Sequence, residues 1–156
     1  MQMTRFLPDE AATLAFGAEL ARALVPGLVI YLVGDLGAGK TTLARGVLRG
    51  LDYMGKVKSP TYTLLELYTV SRLSLYHFDF YRFADPHEWV DAGFREHFNP
   101  DTVCLVEWPE KAGEFLPVPD VRIALSVADG GRSLQVNAET EAGNKCLARV
   151  EQAAST

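Results

Sequence analysis

The run Gly34-Asp35-Leu36-Gly37-Ala38-Gly39-Lys40-Thr41 meets every fixed position of the pattern G-x-x-x-x-G-K-[ST]. Each residue type answers a need of phosphate chemistry. Glycines let the backbone take conformations closed to other residues and come close to phosphate oxygens. Successive backbone N–H groups then form an anion-binding concavity, and the helix that follows aims its N-terminus at the anion. Lys40 is expected to reach the β- and γ-phosphates of a nucleotide, and the Thr41 hydroxyl to ligate Mg²⁺. A chance match in a chain of this composition has odds of roughly one in a few hundred. The motif also falls between an apolar run and a helical pattern, the context that distinguishes it from chance.

Three further segments carry chemistry. In Val103-Cys104-Leu105-Val106-Glu107, an apolar run ends in an acid. A phosphate site needs such a carboxylate, at the end of a strand beside the loop, to hold metal or polarise water; the plain alternative is a solvent-facing strand-end Glu. Trp108 follows at once and reads equally well as a core-edge aromatic. In His77-Phe78-Asp79-Phe80-Tyr81-Arg82, strand alternation puts His77, Asp79 and Tyr81 on one face and Tyr76, Phe78 and Phe80 on the other. A face of His, Asp and Tyr is a poor core face unless its groups pair, so it is expected to look into a site. There Asp79 can bind Mg²⁺ or orient water, His77 can contact phosphate or transfer protons, and Arg82 can reach a phosphate or carboxylate. The third segment, Ser59-Pro60-Thr61, lies where phosphate-binding switch proteins keep a γ-phosphate-sensing loop. It also reads as an ordinary turn.

These residues need elements to hold them. Residues 28–33 form a continuous apolar run, the mark of a strand buried on both faces, and residues 40–51 have helical spacing. Residues 9–24 also read as a helix, with Leu14, Ala18, Ala21 and Val25 on its apolar face and Pro8, Asp9 and Glu10 at its start. Strands are expected at 62–69 and 74–80, joined around Ser71-Arg72. A helix should run from Asp85 to about Phe98, a strand over 102–107, a helical turn through Lys111 and Glu114, and a hairpin over 121–128 and 132–138. The tail from Glu141 is polar and Ala-rich, with a short helix at most. Alternating elements with a two-strand insertion argue a three-layer α/β domain with a mixed, mostly parallel sheet, a single domain over 1–156 with a polar tail from 140.

Composition sets bounds. At 156 residues with 48% hydrophobic and 22% charged, the chain is long enough for a core and ordinary for a globular domain, with disorder confined to a few residues at each end. A net charge of −5 disfavours a stand-alone nucleic-acid binder, since Arg45, Arg49, Lys56 and Lys58 form only a local basic group. Two cysteines without a framework suit a reducing compartment. No signal peptide and no run of about 20 apolar residues is visible, so no membrane contact and a cytoplasmic location are expected.

Taken together, GDLGAGKTT (34–42), SPTYTL (59–64), HFDFYR (77–82) and VEWPE (106–110) resemble the TsaE family, formerly YjeE, of bacterial ATPases in tRNA threonylcarbamoyladenosine biosynthesis. The resemblance runs from about residue 8 to near Arg132. It implies a P-loop NTPase-like domain that binds ATP and Mg²⁺ and is a weak ATPase alone. Its implied partners are TsaB and TsaD, which it resets between turnovers, with tRNA met only through that complex. It also implies roles for particular residues. Lys40 and Thr41 keep their phosphate and metal roles, and Thr42 is a second loop threonine. Ser59, Pro60 and Thr61 form a switch-like loop, Asp79 and Glu107 serve as metal- or water-positioning acids, and Trp108 is the tryptophan beside the site. Tyr62 stands where the family often has Phe, and the tail after Asn137 matches nothing in the pattern.

Three other readings compete. A GTPase would need Asn-Lys-x-Asp, and Asn144-Lys145-Cys146-Leu147 lacks the Asp. A small-molecule kinase would carry an arginine-rich lid, for which only Arg82 and Arg95 are available. A non-hydrolysing ATP sensor differs from an ATPase in turnover, not in binding.

Overall fold

The apolar runs at 29–33 and 102–107 occupy the middle of the sheet, where a strand covered on both faces belongs. The computed structural model describes residues 1–58, 60, 63–70 and 73–154. Its elements in chain order are β1 (Gln2–Leu7), α1 (Glu10–Ala23), β2 (Val29–Val33), α2 (Lys40–Gly50), β3 (Leu65–Val70), β4 (Leu73–Asp79), α3 (His87–Asp91), β5 (Thr102–Glu107), β6 (Val121–Ala128), β7 (Gly131–Ala138) and α4 (Glu141–Ala154), with short 3₁₀ turns after α3 and β5. Seven strands form one sheet in the order β1-β7-β6-β2-β5-β4-β3. The three central pairings (β6-β2, β2-β5 and β5-β4) are parallel, and the three outer ones are antiparallel. This is the mixed α/β sheet the sequence implies.

Strand alternation sorts side chains between two cores. Ile30, Leu32, Leu75, Val103 and Leu105 face α1, α2 and α4, together with Phe16, Leu20, Leu43, Leu48 and Leu147. Val29, Tyr31, Phe78, Phe80, Cys104 and Val106 face the other way, against Trp89 and Phe94. His77, Asp79 and Glu107 continue the first register, His77 and Asp79 two and four residues on from Leu75 and Glu107 two on from Leu105. They therefore project on the α2 side of the sheet, the side of the glycine loop.

Four expectations need correction. Residues 2–7 form an edge strand paired with β7 in full register, not a frayed end. The buried stripe of α1 is Thr13, Phe16, Gly17, Leu20 and Ala21, with Leu24 at the cap, while Val25 is exposed; helical spacing was right and its phase was shifted. The helix expected over 85–98 starts as foreseen, with Glu88 accepting from the Ala84 and Asp85 N–H groups, but it stops after Asp91. Gly93, at φ +71°, turns the chain into a 3₁₀ segment (Phe94–His97), which lets Trp89, Phe94 and Phe98 all reach the second core. The polar tail is a 14-residue helix whose Cys146, Leu147 and Val150 are fully buried. Arg149 of that helix donates to the Ala23 carbonyl at 2.7 and 2.9 Å. The connection at Ser71-Arg72 lies outside the described residues. Among those residues no helix is long and apolar enough to cross a membrane.

Candidate functional site

The glycine loop joins the end of β2 to the start of α2. Gly39, at φ +106°, is the N-cap of α2, a conformation that disfavours any residue with a Cβ. Gly34 sits so close to the Leu125 carbonyl that a Cβ would come within 2.4 Å of its oxygen. The first turn of α2 has no side-chain cap, so its backbone N–H groups stay available to an anion. Lys40 is nearly buried; its ammonium donates to the Gly34 carbonyl and lies 4.0 Å from the centroid of the Trp108 ring. Burial lowers the Lys40 pKa below the usual lysine range, opposed by the carboxylates of Glu107, Asp79, Glu110 and Asp35.

The acids come from two adjacent strands. β5 lies between β2 and β4, and Glu107 is the register partner of both Leu32 and Asp79. Neighbouring strands are about 4.8 Å apart, so the two carboxylates leave the sheet side by side. Both are buried. Asp79 Oδ1 accepts the Tyr81 N–H at 2.9 Å. Burial raises the Asp79 pKa above the ordinary carboxylate value; the Tyr81 N–H pulls it down and neighbouring Glu107 pushes it up. The chain then turns sharply. Trp108 takes a left-handed conformation (φ +56°), which costs on the order of 1–3 kcal/mol and is tolerated where the surroundings hold it. That turn brings its ring over Lys40 and against Tyr81, with ring centroids 4.9 Å apart.

A hollow of about 260 Å³ results, lined by Leu36, Gly37, Gly39, Lys40, Thr41, Thr42, Asp79, Glu107 and Trp108. It gathers an ammonium, two hydroxyls, free helix-end amides and two carboxylates, groups that can hold a phosphate and a hard cation. Asp35 is exposed on the rim, and Ala38 is buried beneath the loop with its N–H on the Asp35 carbonyl. Tyr81 and Arg82 are exposed at the end of β4. His77 does not line this hollow. It is fully buried behind it, with Nε2 at 2.6 Å from Glu107 Oε2. Of the Ser59-Pro60-Thr61 segment, Pro60 is buried and its carbonyl accepts the Leu64 N–H, while Ser59 and Thr61 lie outside the described residues.

A second hollow, about 190 Å³, adjoins the loop on its other side. Gly37, Gly39 and Thr42 line both. The rest of the second lining comes from Leu7 at the end of β1, from Pro8, Asp9, Glu10 and Thr13 at the start of α1, and from Gly131 and Arg132 at the start of β7. Arg132 donates to the Gly37 carbonyl at 3.3 Å. Sequence reasoning missed this group. The only local signal was the cap at Asp9, whose side chain accepts the Ala12 N–H. Its place beside Thr42 depends on the β1-β7 pairing.

Comparison with known proteins agrees with this geometry. Residues 7–134 match the family model described as "Threonylcarbamoyl adenosine biosynthesis protein TsaE". The chain is 43% identical over 150 residues to the tRNA threonylcarbamoyladenosine biosynthesis protein TsaE of Haemophilus influenzae, covering 93% of this chain and 95% of that one. It is 42% identical over 122 residues to the Bacillus subtilis protein of the same name, covering 78% and 74%. The crystal structure of Bacillus subtilis YdiB superposes with a TM-score of 0.81 at 30% identity, covering 99% of this chain and 97% of that one. The match spans the glycine loop, both acids and the strands that carry them, and on that basis the chain belongs to the TsaE family.

Proposed function

We propose that this protein is a Mg²⁺-dependent ATPase that supports threonylcarbamoyladenosine modification of tRNA in the cytoplasm, acting with TsaB and TsaD. The observation that carries the reading is the pairing of Asp79 and Glu107, buried and in register on neighbouring strands, facing Lys40 across one hollow. Buried carboxylates cost stability, and a phosphate site gives them a use. In this reading the α2 amides and Lys40 hold the phosphates. Thr41 and one acid would be oxygen ligands for Mg²⁺, which would neutralise charge developing on the phosphate oxygens. The other acid holds the attacking water. Gly37, Gly39 and Thr42, which line both hollows, would hold the phosphate chain where it passes between them, and the second hollow would receive the nucleoside.

Among the described residues, none of those lining the phosphate hollow is an arginine. An arginine or an ordering contact supplied by a partner raises turnover by orders of magnitude in other P-loop enzymes. Low activity alone and stimulation by the partner complex follow from that. The same observation favours the second reading, an ATP sensor that does not hydrolyse. ATP turnover of the purified chain separates the two, measured alone and with TsaB, TsaD and tRNA, with Lys40→Ala as blank. Weak turnover that rises with the complex and vanishes in Lys40→Ala is expected. ATP binding without turnover under any condition would leave the sensor.

A further inference from the structure

We propose that His77 is a positioning residue for Glu107, holding one carboxylate oxygen so that the other faces the phosphate hollow; this rests on the ATPase reading above. Three observations converge. His77 is fully buried and lies outside the lining of the hollow, set back from the space a ligand would fill. Its Nε2 lies 2.6 Å from Glu107 Oε2, across 30 positions of sequence and between adjacent strands; an ionised carboxylate can only accept, so against it Nε2 carries the hydrogen. Among the described residues its Nδ1 has no hydrogen-bond partner.

A stabilising role explains this poorly. His77 follows Leu73 and Leu75 on the α2-facing side of β4, where a leucine would continue the row. A buried ring nitrogen without a partner costs stability, and replacing buried polar pairs with apolar residues is often neutral or favourable. What the imidazole supplies is one rigid donor at a fixed height above the sheet. Glu107 has three side-chain torsions and emerges beside Asp79. Without a donor on Oε2, its carboxylate is free to turn toward any nearby N–H or cation, Lys40 included. With Oε2 held, Oε1 is presented to the hollow that Glu107 itself lines. Second-layer donors of this kind fix the orientation of the groups that do chemistry.

The test compares His77→Gln, His77→Asn and His77→Leu with the unmodified chain. ATP affinity and single-turnover hydrolysis are measured with TsaB and TsaD present, and Lys40→Ala serves as blank. Glutamine can place an amide N–H near the position of Nε2, while asparagine is too short and leucine has no donor. The expected result is a fall of roughly 10- to 100-fold in rate for Leu and Asn, with ATP affinity within about twofold and most of the rate kept in Gln. Melting temperature and ATP binding check the fold; if Leu does not fold, the contrast between Gln and Asn decides. A folded Leu or Asn variant at full rate overturns the inference and leaves the ATPase reading intact. So does an equal loss in Gln and Asn accompanied by lost ATP affinity, the mark of a merely structural residue. Absence of any Lys40-dependent turnover in the unmodified protein would sink the ATPase reading and this inference with it.

Discussion

Asp79 sits at the end of β4 with little access to water, and burial lifts its pKa above that of an exposed aspartate. The sign of the stability effect follows. When the folded pKa exceeds the unfolded one, the stability contribution is complete below the unfolded value and is lost as pH rises through the folded value. At neutral pH the ionised carboxylate therefore weighs against the fold in the absence of ligand. Asp79→Asn keeps an acceptor for the Tyr81 N–H and removes the buried charge. Melting in the absence of nucleotide and metal should show Asp79→Asn more stable than the unmodified chain at pH 7, with the gap closing as pH falls into the ordinary carboxylate range. A less stable variant at pH 7 would mean that the carboxylate's partners outweigh its desolvation. The same substitution should abolish Mg²⁺-dependent turnover, a conflict between stability and activity common at functional sites.

The elements around the site are held by close packing of α1 on α2. A Cβ added at Gly46 would come within 2.5 Å of the Leu14 carbonyl oxygen and 2.9 Å of the Leu14 Cα. Alanine at Gly46 would gain about 1 kcal/mol of helix propensity. The atoms it meets are backbone and cannot rotate aside, so strain of about 1–3 kcal/mol or more opposes the gain. With rigid backbone on both sides the strain lies at the upper end of that range and wins by about 2 kcal/mol, so Gly46→Ala should lower the urea midpoint accordingly. An unchanged midpoint would show that the two helices separate without cost. Legibility in the sequence differs by element. β5 was read with its true bounds because an apolar run of strand length leaves no other choice. The helix after Asp85 was overextended because its aromatic spacing fits a continuous helix as well as it fits two short pieces turned at Gly93.

For the molecule as a whole, α4 closes the core over α1. Leu147 and Val150 are fully buried, and burial of side chains of this size is worth about 1.5–3 kcal/mol each. Domains have about 5–15 kcal/mol of stability in total. A chain ending at Thr140 also loses the Arg149 bonds to Ala23 and exposes the apolar surface of α1 beneath. It should unfold at much lower urea, or be recovered only as aggregate; cooperative unfolding at an unchanged midpoint would show α4 to be dispensable. The tail looks polar because seven of its first twelve residues, counted from Thr140, are not hydrophobic; its buried Cys146, Leu147 and Val150 make sense only once a partner helix is present.

By itself the sequence determined the glycine loop with Lys40 and Thr41, the buried strands β2 and β5, and the acidic character of Asp79 and Glu107. Those are local properties, written in side-chain type and in periods of 2 and 3.6 residues. Only the tertiary structure decided which strands are neighbours. That choice puts Asp79 level with Glu107, sets His77 against Glu107 behind the hollow, and brings Pro8, Asp9 and Arg132 to the far side of the loop through the β1-β7 pairing. Strand order is settled by contacts between residues tens of positions apart, whose free energy no local pattern records.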